Sequence, residues 1–162
     1  MSMIGNYRRL TNSELTGLLS DPTKVSDFLY DENTDPKFHL DIDKSWQAIH
    51  FLLNNDPWEG YGALFDVVLG GEALGEQDVG YGPARYLTPA EVKAVADALG
   101  EISSSDLLGK FDPSQLNKRN IYPSGWTGNP VELQYIGRNY TRIANFFQLA
   151  ATNGEAMLLY IN

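Results

Sequence analysis

A long amphipathic segment, residues 131–153, limits the folds open to this chain more than any other feature. We predict that this helix ends at Gly154, because a glycine readily adopts the left-handed conformation that terminates a helix. Gly100 is predicted to end another helix in the same way, after Leu99. A helix of such length with one apolar face needs a second layer of structure to cover that face. The apolar residues of the segment recur at i, i+4, i+7, i+11 and i+14, along one helical face: Ile136, Tyr140, Ile143, Phe147 and Ala150.

Capping residues mark the starts of other helices. Thr11–Glu14 and Thr88–Glu91 have the capping-box pattern, a hydroxyl at the cap and a carboxylate three residues later. Asp21, Asp112 and Asn129 each precede a proline, which is favoured at the first helical position because its missing N–H costs nothing there. The complete set of predicted helices covers 12–20, 22–30, 43–54, 88–99, 103–111, 113–119 and 131–153.

Fewer segments have the pattern of a β-strand. Residues 157–161 are short, apolar and follow a helix end, which is typical of a buried strand. Residues 3–10 are the predicted partner, because terminal strands must be tied down to be ordered. Residues 64–69 fit either a third strand or a short helix. We therefore predict the α+β class, with a single compact domain over 1–162 in which several helices surround a small sheet. That sheet consists of the N-terminal strand, the C-terminal strand and, if 64–69 is a strand, one central strand.

Composition excludes several kinds of chemistry. The chain has no cysteine, which rules out disulfides, thiolate metal sites and cysteine nucleophiles. Its two histidines, His39 and His50, lack the ligand spacing of a zinc site. The pair Asp41 and Asp43 is explained most simply if Asp43 is the N-cap of the helix that contains His50. We expect no metal and no cofactor, and we expect His50 to be a hydrogen-bonded core residue.

Charge bears on the partners that the chain can have. A net charge of −9 argues against nucleic acid and anionic membranes, because both are polyanions. Residues 1–106 hold seven Lys/Arg and eighteen Asp/Glu, whereas residues 107–162 hold five and three. This asymmetry fits a basic protein partner, and it equally fits an acidic surface that serves solubility alone. Because no segment resembles a signal peptide or a transmembrane helix, we expect a cytoplasmic location.

The most unusual segment is 70–85, which holds five of the fifteen glycines. It contains neither a phosphate-binding loop nor a dinucleotide-binding fingerprint. We expect a long surface loop, and a contact with a ligand or partner is the alternative, because functional groups often collect on loops. The candidate contact residues in it are Glu72, Glu76, Asp78, Tyr81 and Arg85.

Three aromatic residues in turn-rich segments are further candidates for partner contacts. Trp58 and Tyr61 lie in residues 54–62, and Trp126 ends residues 121–126. Exposed aromatic side chains of this kind are frequent hot spots of protein interfaces. If they fold inward instead, they cover the core.

With these segments in view, the chain resembles the YfbM-like family, a bacterial family described as a domain of unknown function. The matching pieces are MSMIGNYRRL, LDIDKSWQAIHFLL, VLGGEALGEQDVGYGPARYLTPAEV and AATNGEAMLLYIN, in the order that the family has. The resemblance implies a compact α+β fold and a bacterial cytoplasmic setting. It brings no catalytic residues with it.

Two main functional hypotheses follow, beside a third in which the chain is a subunit of a larger assembly and exposes an apolar patch with Trp58 and Trp126. The first is a protein-binding module, of an immunity or antitoxin kind, whose acidic surface attracts a basic protein. The second is a small-ligand binder or an enzyme that uses the segment 70–85. In that case Tyr81 and Arg85 would orient a polar ligand, while Glu72, Glu76 or Asp78 would supply acid–base chemistry. The absence of an assembled active site favours the first hypothesis, so the sequence argues against an enzyme without excluding one.

Overall fold

The structure is a computed structural model that describes all 162 residues. One five-stranded antiparallel sheet organises it, in the spatial order β2-β1-β5-β4-β3. The last strand in the sequence therefore lies at the centre of the sheet. The strands are β1 (Gly5–Leu10), β2 (His39–Asp41), β3 (Glu72–Asp78), β4 (Pro83–Leu87) and β5 (Ala156–Ile161).

Eight α-helices and three short 3-10 turns connect and cover the strands. The helices are α1 (Asn12–Ser20), α2 (Val25–Leu29), α3 (Trp46–Asn54), α4 (Gly62–Asp66), α5 (Pro89–Gly100), α6 (Ser104–Leu108), α7 (Pro113–Lys118) and α8 (Pro130–Thr152). The 3-10 turns are Pro22–Lys24, Pro36–Phe38 and Asp43–Ser45. No helix is long and apolar enough to cross a lipid bilayer.

The sheet separates two hydrophobic cores of unequal size. Alternate residues of a strand point to opposite faces, and β1, β4 and β5 each contribute buried residues to both cores. The larger core has 27 buried residues, among them Tyr7, whose ring meets Phe147 of α8 edge-to-face at 5.6 Å between centroids. The smaller core has ten buried residues and lies under α1 and α2, with Leu10 and Leu158 on its sheet side. The α+β class is thus confirmed, although the sheet has five strands instead of the two or three expected.

The helix predictions that rest on local chemistry are confirmed. All five residues of the apolar stripe in α8 are buried, and Gly154 has a φ of +66° just after the helix. Thr11 and Thr88 both form complete capping boxes. The predicted Asp and Asn caps each accept a hydrogen bond from a backbone N–H at the start of their helix or turn: Asp21, Asp112 and Asn129.

Other local predictions are wrong. Asp43 does not cap α3, since it has a φ of +53° and its carboxylate accepts a hydrogen bond from Tyr135 at 2.8 Å. Oδ1 of Asp41 accepts a hydrogen bond from the backbone N–H of Asp43 at 2.7 Å, and no side chain caps α3. Gly100 is the last residue of α5 and has no positive φ, so it is not a left-handed residue that follows the helix. Residues 64–69, which fitted two interpretations, form the end of α4 and the turn after it.

The segment 70–85 is a β-hairpin, so its interpretation as a surface loop is wrong. β3 and β4 pair antiparallel, and β3 forms one edge of the sheet. Of the seven residues of β3 only Leu74 is buried. Charged residues on an exposed edge strand discourage pairing with another chain, and they also hide the strand from a search for alternating apolar residues.

Candidate functional site

Two consecutive arginines of β1 are buried in the sheet. Arg8 is 6% exposed and Arg9 is 5% exposed, and their side chains leave opposite faces of the strand. The Nη1 of Arg9 donates to Oε1 of Glu155 at 2.7 Å, which forms a buried ion pair. Arg8 makes no ion pair with any carboxylate of the chain. The strand therefore carries one buried arginine with a counter-ion and one without.

The guanidinium of Arg8 has incomplete hydrogen bonding. Its carbon lies 4.5 Å from the centroid of the Phe28 ring and 5.5 Å from that of Phe38. Nη1 donates to the backbone oxygen of Arg9, and Nε is buried with no partner. Burial lowers the pKa of Arg8 and the negative charge of Glu14 opposes that shift, but an arginine remains a cation at neutral pH. A buried cation with an unsatisfied donor is unfavourable in free energy unless something outside the chain pairs with it.

Arg8 lines a polar cavity of about 260 Å³ between the β2 side of the sheet and residues 29–36. The strand register brings the walls together. Arg8 stands opposite His39 of β2, and Asn6 stands opposite Tyr160 of β5, so these four side chains share one face of the sheet. Asn162 and the loop after α2 complete the cavity.

Hydrogen bonds hold the walls of this cavity in place. Nε2 of His39 lies 2.8 Å from Oδ1 of Asn6, and Nδ2 of Asn6 donates to Oδ1 of Asn162 at 2.8 Å. Nδ2 of Asn162 in turn donates to the hydroxyl of Tyr30 at 3.2 Å. Burial lowers the pKa of His39, which keeps its ring neutral at pH 7. The chain of contacts joins β2, β1, the end of β5 and α2 into one fixed frame.

Tyr160 adds a hydrogen-bond donor to the cavity wall. Its ring stacks on His39 at 6.4 Å between centroids and meets the edge of Tyr30 at 6.2 Å. Burial raises the pKa of Tyr160, so that its hydroxyl stays protonated at all physiological pH values. That hydroxyl makes no hydrogen bond within the chain, and it is not sealed from solvent. Nη2 of Arg8 likewise makes no hydrogen bond within the chain and, unlike Nε, is not sealed from solvent, so Arg8 and Tyr160 each bring one unused donor to the cavity.

The candidates of segment 70–85 do not converge on a site. Glu72 accepts a hydrogen bond from Tyr86 at 2.9 Å, and Asp78 accepts two from the backbone of the hairpin turn. Nη1 of Arg85 donates to the backbone oxygens of residues 68 and 70, so this arginine ties β4 to the turn after α4. Glu76 is exposed on the edge strand, and Tyr81 is exposed in the turn.

The three aromatic candidates divide between surface and core. Trp58 is 59% exposed and Tyr61 is 91% exposed, so both are available for contact with a partner. Trp126 is 6% exposed, and its indole N–H donates to the backbone oxygen of Ile121 at 2.9 Å. Trp126 is therefore a core residue, and of the two alternatives left open for its segment the inward-facing one holds.

Another cavity is larger, about 610 Å³, and lies between α6 and α8. Its two arginines, Arg138 and Arg142, are exposed, so neither needs a partner to offset burial. No three His, Asp or Glu side chains are placed to hold a metal ion anywhere in the structure. The cavity beside Arg8 is therefore the site at which a buried cation lacks a counter-ion and a full set of hydrogen-bond partners.

Comparison with known proteins agrees with the fold. Over residues 1–160, the chain matches the family described as a domain of unknown function, DUF1877. The chain belongs to the DUF1877 family. The resemblance to YfbM-like proteins found in the sequence is confirmed by Protein YfbM of Escherichia coli (strain K12), which is 29% identical over 133 residues. That match covers 76% of this DUF1877 chain and 74% of YfbM.

A crystal structure of YfbM from Escherichia coli, described as a protein of unknown function, has the same fold as this DUF1877 chain. The TM-score is 0.76 at 23% sequence identity, and the match covers 98% of this chain and 99% of that one. At this identity the likeness extends to the fold alone. The function of the cavity beside Arg8 has to be argued from its own geometry.

Proposed function

We propose that this chain binds a small anionic ligand in the cavity beside Arg8. The observation that carries the proposal is a buried guanidinium with no counter-ion that borders a polar cavity. A carboxylate or another oxyanion on Arg8 would replace the missing counter-ion and accept from the unused hydroxyl of Tyr160. Charge-assisted hydrogen bonds of this kind are among the strongest that proteins make.

The cavity is suited to a metabolite rather than to a macromolecule. At about 260 Å³ it lies slightly below the usual range of ligand pockets, about 300–1,000 Å³. The ligand-binding alternative from the sequence is thus kept, but at residues outside the segment 70–85.

Thermal unfolding in the presence of small anions tests this proposal. A ligand present at 100 times its Kd stabilises the folded state by about 2.7 kcal/mol, which raises the Tm by roughly 5–10 °C for a chain of this length. We expect the shift in the wild type and in Arg138→Met, a control that removes an exposed arginine of the α6–α8 cavity. We expect no shift in Arg8→Met and a reduced one in Tyr160→Phe, which removes only the unused hydroxyl.

The test ligands are the anions acetate, propionate, succinate and inorganic phosphate, together with the twenty amino acids, each of which carries a carboxylate. If none of them changes the Tm of the wild type, or if Arg8→Met responds as the wild type does, the cavity is not an anion site. Because Tyr160→Phe keeps the buried ring, it gives an answer even if Arg8→Met folds poorly.

A second function, protein binding, is supported by the exposure of Trp58 and Tyr61. We infer a basic partner from the net charge of −9, as such a pair associates faster at low salt. An affinity pull-down from bacterial lysate at low and high salt tests this. A stoichiometric basic protein, lost with Trp58→Ala and eluted by salt, is the expected result. Retention of that protein by Trp58→Ala and Tyr61→Ala would exclude this surface.

A further inference from the structure

The charges around the cavity restrict the chemistry of its ligand. Arg8 has Glu14 close enough to oppose the lowering of its pKa, and Asp41 acts on both His39 and Tyr160. Two more carboxylates belong to the cavity lining, Asp31 and Asp35. Arg9 and Glu155 also act on Arg8, but they form an ion pair with each other. One further cation lies in this region, Lys37, whose Nζ is 3.7 Å from Oδ2 of Asp35. Apart from the Arg9–Glu155 ion pair, two cations thus face four carboxylates, which disfavours a ligand of high negative charge such as phosphate.

The positive and negative groups occupy different depths of the cavity. Arg8 is buried at its base, whereas Asp31 and Asp35 are exposed in the loop after α2. Oδ1 of Asp31 accepts from the backbone N–H of Asn33 at 2.9 Å, and its other oxygen is free. One oxygen of Asp35 is used in the same way and the other lies near Lys37. Asp31 is therefore the carboxylate at the mouth with an acceptor to spare.

An aromatic ring lies beside this carboxylate. Tyr30 immediately precedes Asp31, lines the same cavity and is half exposed. The face of a tyrosine ring attracts an ammonium group. A ligand that reached from the base to the mouth would therefore meet a cation and a hydroxyl donor first, and a carboxylate with an aromatic ring second.

We infer that the ligand is a small zwitterion, a free amino acid or a related amino-carboxylate. Its carboxylate binds Arg8 and Tyr160, and its ammonium group binds Asp31 and Tyr30. This inference rests on the proposed anion site and adds the opposite end of the ligand to it. The volume of about 260 Å³ suits a molecule of that size.

Matched ligands and matched variants test the inference by calorimetry and thermal shift. The probes are the twenty amino acids, β-alanine and 4-aminobutyrate, followed by the carboxylic acid and the amine that each lack one end of the best binder. We expect the zwitterion to bind more tightly than either. Asp31→Asn should weaken the zwitterion about twofold to fivefold, as removal of one exposed charge pair does, and should leave the amine-free acid unchanged. Asp27→Asn makes an equal change of charge at an exposed position of α2, and it should leave the affinities for the zwitterion and for the amine-free acid unchanged.

The outcomes separate the two proposals. If the amine-free acid binds as tightly as the zwitterion, and Asp31→Asn behaves as Asp27→Asn does, the zwitterion is wrong and the anion site stands. If no probe binds, or if Arg8→Met binds every probe as the wild type does, the anion site itself is wrong. Tighter binding of phosphate than of any amino acid would also overturn the zwitterion.

Discussion

The same substitution should lower the free energy of unfolding much more at Arg9 than at Arg8, the two arginines of β1. Arg9→Met leaves the buried carboxylate of Glu155 without a partner, whereas Arg8→Met leaves no charge behind. Both variants keep an unbranched apolar side chain in a site that is about 95% buried in the wild type, so loss of packing is similar in the two. The difference between them therefore measures what each positive charge does for folding.

The magnitudes follow from the partners of each side chain. Removal of one member of a buried ion pair costs about 3–5 kcal/mol, which is the expected loss for Arg9→Met. Arg8→Met abolishes an unsatisfied buried donor, a gain of about 1–3 kcal/mol, and it loses one charged hydrogen bond of about 1.5–3 kcal/mol. Loss of the contacts with Phe28 and Phe38 removes about 0.5–2 kcal/mol more. At the midpoints of these ranges the net change for Arg8→Met is a loss of about 1.5 kcal/mol, smaller than the loss expected for Arg9→Met.

Urea unfolding at pH 7, followed by tryptophan fluorescence and far-ultraviolet circular dichroism, measures both free energies. The double variant Arg9→Met/Glu155→Leu is the control, because it removes the stranded carboxylate and should recover most of the stability lost in Arg9→Met. If Arg8→Met lowers the free energy of unfolding as much as Arg9→Met does, the charge of Arg8 is needed for folding. Its lack of a counter-ion would then say nothing about a ligand.

Three further predictions concern the scaffold. Gly71→Ala should lower the free energy of unfolding more than Gly62→Ala. Both positions have a positive φ, but only at Gly71 does the new Cβ meet a backbone oxygen, at 2.7 Å. Equal losses of stability in urea would contradict this steric cause. Thr88→Ala should cost about 1 kcal/mol in the same assay, because its hydroxyl caps the N–H of Glu91, and an unchanged midpoint would show that the cap is dispensable. Burial lowers the pKa of His50 in the folded state, so on acidification the unfolded chain binds a proton before the folded chain does. The free energy of unfolding that is present above about pH 6.5 should therefore fall as the pH drops towards 5. His50→Gln should flatten that slope, and an unaltered slope would assign it to other groups.

Local chemistry determined which parts of the fold could be predicted. The long helix and its end at Gly154 depend on neighbours a few residues away, and so do the caps at Thr11 and Thr88. The hairpin of β3 and β4 was missed because only one of the seven residues of β3 is buried, so no alternation marks it. β2 has three residues and forms only because β1 pairs with it.

The candidate site could not be predicted, because it depends on pairing between distant strands. Asn6, His39 and Tyr160 become neighbours only through the registers of β1 with β2 and β5. One signal was present in the sequence. Arg8 and Arg9 are consecutive charges inside an otherwise uncharged strand, and only Glu155 is buried among the carboxylates to match them. Two buried cations against one buried anion point to a missing charge.

The central position of β5 also has a consequence for how the chain acquires its fold. β5 is the last strand to be made and the one that joins β1 to β4, so the two halves of the sheet have no common edge before residues 156–161 exist. At the usual rate of synthesis, β1 waits roughly 10–30 s for this partner. Contacts of such long sequence separation also make folding slow. The exposed edges of β1 and β4 are then open to pairing with other chains. A chaperone that binds the nascent chain would be of most use to this protein during that interval.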